Sequence, residues 1–210
     1  MKLSNITIVE SIPEGNIYRA DCSEDVKPGQ YLKANNKTIS IIKSDSLPNT
    51  NQIIFQSTES IADEIEFSLV GEPIEWSIDK TVTVICSGIG NLVAVHWLNQ
   101  YRKQLRDNIH SVVLYEPESF SFKPSPSQIM TPEYPSNMIA SMPLLDDLGF
   151  SSRLVCEQFR PGCFEGSLSK LIQEMPIKPT YWIGFADQAT VKEIGDLIGE
   201  PVNAYLTDKH

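Results

Sequence analysis

Thr81-Val-Thr-Val-Ile-Cys-Ser-Gly-Ile-Gly-Asn-Leu-Val-Ala-Val-His-Trp-Leu98 is the stretch on which the reading of this chain turns. Its first five residues are all β-branched and predict a buried strand. Cys86-Ser-Gly-Ile-Gly90 is then a small-residue turn, and a helix is expected from Asn91. Glycine is needed where a chain turns with φ > 0 or where another group must approach the backbone closely. A helix that begins directly after such a turn leaves its first N–H groups unpaired and points its positive dipole end outward, which suits phosphate. A nucleotide crevice is therefore expected here, with Ser87, Gly88, Gly90 and Asn91 as its contacts. Gly88-x-Gly90-x-x-Val93 lacks the third glycine of the dinucleotide fingerprint, so a plain strand–turn–helix unit without ligand is the alternative.

Downstream of this unit strands and helices alternate. Strands are expected at 111–115, 153–157, 181–184 and 202–206, and helices at 91–105, 144–148, 167–174 and 190–198. That alternation indicates a parallel sheet with crossover connections. Residues 117–143 interrupt it with a proline-rich excursion, whose fixed φ angles and missing donors give a stiff extended segment. It reads either as a docking arm or lid, or as a long crossover. Upstream, strands are expected at 5–10, 17–22, 30–34, 38–43, 52–56 and 64–70, separated by turn chemistry such as Lys27-Pro-Gly and Asn35-Asn36. Six short strands at close spacing predict a small antiparallel β-barrel. The expected fold class is β + α/β, with the barrel in residues 1–74 and the α/β domain in residues 75–210.

The 210 residues are 41% apolar and 21% charged, the proportions of a globular chain. A net charge of −10 disfavours nucleic acid and anionic membrane as partners but not a nucleotide, which binds locally. No leader-like N-terminus and no apolar run of membrane-spanning length is seen, so a cytoplasmic location without membrane insertion is expected. Cys22, Cys86, Cys156 and Cys163 form no C-x-x-C pair and read as reduced thiols. Cys163 is the thiol expected to be most exposed. Asp146 and Asp147 are adjacent on a helix, about 100° apart, and read as cap or surface rather than a catalytic pair. Glu116 follows the second strand of the α/β domain at the distance where a nucleotide fold places an acid on the adenosine ribose, which would favour NAD over NADP. A solvated carboxylate is the other reading.

A small barrel followed by an open parallel α/β domain resembles the ferredoxin–NADP reductase superfamily, most closely the electron-transfer subunits of dihydroorotate dehydrogenase. The motifs are short. Pro28-Gly-Gln-Tyr31 looks like the turn that enters the third barrel strand, and Lys37-Thr-Ile-Ser-Ile41 falls where the family carries R-x-Y-S. Val70-Gly-Glu-Pro73 resembles the exit from the barrel, and Ser87-Gly-Ile-Gly90 the nucleotide turn. Tyr181-Trp-Ile-Gly184 lies where C-G-P follows strand four. The resemblance implies FAD held by Lys37 and Ser40, and NAD or NADP held at the glycine turn with Gly184 admitting the nicotinamide. It also implies a redox protein partner. The cysteine-rich tail of the dihydroorotate dehydrogenase subunits has no counterpart, so no iron–sulfur cluster is expected.

Several motif positions depart from that pattern. Lys37 replaces an arginine whose fork pairs with pyrophosphate, and Ile39 replaces the tyrosine that packs on the flavin ring. Val93 stands for a proline and Ile183 for the cysteine near the nicotinamide. Two functions follow from the resemblance and its departures. One is an electron-transfer oxidoreductase using flavin and a reduced nicotinamide nucleotide. The other is a catalytically inactive relative kept as a binding or assembly subunit.

Overall fold

The computed structural model describes residues 2–12, 15–34, 37–46, 50–57, 60–61, 66–71, 73–74, 80–175, 181–199 and 202–206. These fall into two compact units, within residues 2–74 and 80–206.

The first unit contains β1 (Leu3–Ile12), β2 (Gly15–Cys22), β3 (Tyr31–Ala34), β4 (Lys37–Ser46), β5 (Asn51–Ser57) and β6 (Ser68–Val70). They pair antiparallel in the order β1-β2-β5-β4-β3-β6. A bridge between Lys2 and Glu66 joins the two ends of this sheet and curls it toward closure. Alternate residues face inward, as the two-residue period of a strand requires. Ala20, Ile39, Ile41, Ile53 and Phe55 meet Leu3, Leu32 and Phe67 in one core, and Tyr18 stacks on Phe55 with ring centroids 5.5 Å apart. Between β4 and β5 the register slips around Ile42, with Ile41 opposite Phe55 and Lys43 opposite Ile54. Such a bulge sharpens the strand twist that a small barrel needs.

The second unit is the expected α/β domain. Its elements are β7 (Val82–Ser87), α1 (Ile89–Gln100), α2 (Arg102–Leu105), β8 (Ile109–Tyr115), β9 (Ser125–Pro126), β10 (Ala140–Ser141), α3 (Pro143–Leu148), β11 (Ser152–Cys156), β12 (Phe164–Glu165), α4 (Leu168–Glu174), β13 (Trp182–Ala186), α5 (Gln188–Ile198) and β14 (Asn203–Leu206). Six strands form a parallel sheet in the order β12-β11-β8-β7-β13-β14. β7, β11 and β13 are almost wholly buried along their length, as strands covered on both faces must be. Strand order runs outward from β7 to β8 and β11, then resumes on the other side with β13 and β14. In open parallel sheets ligands bind at the carboxyl ends of strands where the order reverses, here between β7 and β13.

The proline-rich excursion is fastened to this unit. Strands β9 and β10 pair within it, and Tyr134 and Met138 enter the α/β core. Tyr134 Oη lies 2.6 Å from Ser111 Oγ on β8. The buried Arg153 donates through Nη2 to the Ile129 carbonyl at 2.8 Å. Asp146 accepts from Ser141 Oγ at 2.9 Å and from the Gln128 amide at 3.2 Å. No helix among the described residues is long and apolar enough to cross a membrane.

Candidate functional site at the carboxyl edge of the parallel sheet

Four of the residues expected to meet nucleotide sit at the β7–α1 junction. Ser87 ends β7 beside Tyr115. Gly88 is the N-cap of α1 at φ 54°, ψ −132°, a conformation that side chains resist, and a Cβ built there would meet nothing within 4 Å. The turn is open. No side chain caps α1 and no acid lies in its first turn, so the dipole end carries no anion of its own helix. Gly90 is different: a Cβ there would lie 1.9 Å from the Phe185 carbonyl oxygen. It is glycine because α1 presses on β13, the task that the fingerprint usually gives its third glycine. The same contact lets Trp97 pack on Phe185 at 5.5 Å.

Asn91 is buried, and its amide N–H turns back to the Gly88 carbonyl at 3.0 Å. Its side chain reaches across to the end of β8. Nδ2 donates to the Tyr115 carbonyl at 3.1 Å and to Glu116 Oε1 at 2.6 Å, while Oδ1 is buried without a partner. Glu116 is thereby brought beside the start of α1, which sequence spacing alone only suggested. Tyr115 Oη donates to Glu157 Oε1 at 2.8 Å, and desolvation followed by that carboxylate raises its phenol above the ordinary range.

The opposite lip belongs to β13. Here Gly184 has a packing role of its own. Gly184 and Ile183 lie inside the strand, level with Ile85 and Val84. A Cβ on Gly184 would meet Val202 at 3.1 Å and Val191 at 3.3 Å, so packing accounts for this glycine too. The strand continues to Ala186, and the lip is formed there and at Asp187. Asp187 caps α5, accepting from the Thr190 amide at 3.1 Å and from Thr190 Oγ1 at 2.9 Å. The Asp187-x-x-Thr190 spacing is a helix-start signal that could have placed this end correctly.

In the barrel, two motifs behind the resemblance touch. Gln30 Nε2 is 3.5 Å from the Gly71 carbonyl, the Ile74 amide donates to the Pro28 carbonyl at 3.0 Å, and a Cβ on Gly71 would meet the Tyr31 ring at 2.9 Å. Lys37 and Ser40 lie on β4, paired with Ala34 and Tyr31; their side chains are outside the described residues. Ile39, at the place of the family's flavin-packing aromatic, is 5% exposed and part of the barrel core. That position does not fit an isoalloxazine contact. Ser57 is buried at the end of β5.

All four cysteines are buried and unpaired, Cys163 included, contrary to its expected exposure. Desolvation pushes the Cys163 thiol up to about 12, helped by neighbouring Cys156. Among the described residues no three His, Cys, Asp or Glu side chains converge on a metal position.

No protein-family model matches the chain, and no curated protein matches it in sequence. Solved structures do. The flavohaem-like FAD/NAD-binding domain of nitric oxide dioxygenase from Vibrio cholerae O1 biovar El Tor aligns over 92% of this chain and 92% of its own, at 12% identity and TM-score 0.59. The NADH-dependent reduced ferredoxin–NADP oxidoreductase aligns over 95% and 73%, at 10% and 0.60. A cytochrome P450 reductase from Amycolatopsis aligns over 98% and 68%, at 10% and 0.62. The fold is that of the FAD/NAD-binding domains of ferredoxin-reductase-like proteins: an antiparallel barrel followed by a six-stranded parallel α/β domain.

Proposed function

We propose that the chain is an electron-transfer oxidoreductase that takes a reduced nicotinamide nucleotide on its α/β unit and FAD on its barrel. The observation that carries this reading is the open, uncapped start of α1 at Gly88, set where the strand order reverses. Phosphate would lie against the first turn of α1, beside Ser87 and Gly88. Glu116 would accept from ribose hydroxyls and make NADH the preferred form. Lys37 and Ser40 are the proposed flavin contacts, without an aromatic at residue 39. The two cofactors supply hydride and electron chemistry when bound, and the chain's residues hold and orient them. The likeness to dihydroorotate dehydrogenase electron-transfer subunits, and with it a redox partner protein, belongs to this proposal.

A second reading, in which the fold is kept as a binding or assembly subunit without flavin, is motivated by Ile39 standing in the place of the family's aromatic. The visible spectrum of the purified protein separates the two. Bands near ~375 and ~450 nm, or uptake of added FAD with NADH-dependent bleaching, support the oxidoreductase. A colourless protein that binds neither FAD nor NADH in calorimetry overturns it.

A further inference from the structure

We propose that Asn91 is the positioning residue that makes this crevice select a free ribose diol over a phosphorylated one. The inference rests on the nucleotide reading above and deepens it.

Asn91 is the third residue of α1. Polar side chains there commonly fold back to cap the helix's own first amide. This one does not. The start of α1 has no side-chain cap, and the Asn91 amide is instead spent on the end of β8. Its two donors go to the Tyr115 carbonyl and to Glu116 Oε1, at 3.1 and 2.6 Å. The short second bond is charge-assisted, the stronger kind, and holds the carboxylate against the start of α1. The amide oxygen left over is 93% buried with its residue and has no donor in the structure. A buried acceptor without a donor costs free energy, so stability alone does not account for an asparagine here.

At the end of β8 the acceptor offered to a ribose is therefore the Glu116 carboxylate, held in place by Asn91 Nδ2. Ribose hydroxyls are donors and match it. A ribose 2′-phosphate offers only acceptors and negative charge at neutral pH, so it meets repulsion from Glu116. Asn91 acts through Glu116 and not on the reacting atoms. Selection for NADH over NADPH is therefore a property of the pair rather than of the carboxylate alone.

A double-mutant cycle on the full chain tests this, with NADH and NADPH dissociation constants measured by calorimetry and the melting temperature recorded alongside. The wild type is expected to prefer NADH. Asn91→Leu, similar in volume, is expected to lower the preference about tenfold, the worth of one charge-assisted hydrogen bond. Glu116→Gln lowers the same ratio at a partly exposed strand end, so it reports even where the Asn91 variant folds poorly. In the Glu116→Gln background, Asn91→Leu should leave the ratio unchanged, which a purely structural role would not produce. Equal loss of both nucleotides in either background, or an unchanged ratio in Asn91→Leu, overturns the inference while leaving the nucleotide reading intact. Wild-type protein that binds neither nucleotide overturns both.

Discussion

Gly90 and Gly88 show how two glycines of one motif answer to different physics. A methyl group at Gly90 collides with the backbone of β13, and backbone cannot step aside as a side chain tip can. Gly90→Ala is expected to cost about 3 kcal/mol in urea unfolding, the upper range of overpacking effects; a loss below about 0.5 kcal/mol would mean that α1 and β13 are not in this contact. Glycine spacing reads the same whether the space serves a ligand or a neighbouring strand, which is why the sequence pointed to the turn but not to the division of labour within it. Glu116 was singled out by its place after the second strand of the α/β domain, whereas Asn91's grip on it depends on β7 and β8 lying side by side. Cys163 carries the same lesson. Its neighbours Gly162 and Phe164 suggested an open thiol, yet its surroundings come from Cys156 and the end of β11, fixed only by the fold. Desolvation raises all four thiols, Cys163 to about 12 and Cys86 well above its usual value. At pH 8 the folded protein should therefore react with an aromatic disulfide reagent far more slowly than free cysteine, and release all four equivalents only in denaturant. A thiol that reacts at the free rate under native conditions would contradict this burial.

The long elements were readable because their periods run for a full turn or several alternations. β2, β5, β7 and β8 and the helices α1, α4 and α5 stand close to where residue pattern put them. The two-residue strands β9, β10 and β12 were not, since two residues show no period and exist only as pairings. The proline-rich excursion between β8 and α3 was seen as unusual but could not be assigned a course. Its anchors are side chains on other elements, and Asp146 is chief among those on α3. The adjacent Asp146 and Asp147 indeed diverge: the first holds Ser127, Ser141 and the Gln128 amide, and the second is exposed. Asp146→Ala should cost about 1–3 kcal/mol and speed hydrogen exchange across β9 and β10. Asp147→Ala should stay within about 0.5 kcal/mol. Equal effects of the two substitutions would show that the excursion is held by other contacts.

For the whole chain, the parallel sheet sets the point where strand order reverses, and its helices supply the electrostatics. Two helices begin at the reversal point, and only one is open. α5 is closed by Asp187, which brings a carboxylate to its first turn, while α1 has neither cap nor acid in its own first turn. In the proposed function an anionic ligand would lie on the Gly88 side, with its hydroxyl-bearing part toward Glu116. Binding to the folded state alone must stabilise it, by about 2.7 kcal/mol at a hundredfold excess over Kd. Trp97 and Trp182 both lie in the core of the α/β unit and report its unfolding by fluorescence. With NADH at that excess, the urea midpoint read from tryptophan should rise by about 1.4 M, given a slope of about 2 kcal/mol per M. Inorganic phosphate at the same concentration should shift it far less, because it takes the helix start without the ribose contacts. A midpoint indifferent to NADH would leave the reductase-like architecture intact and remove the nucleotide from it.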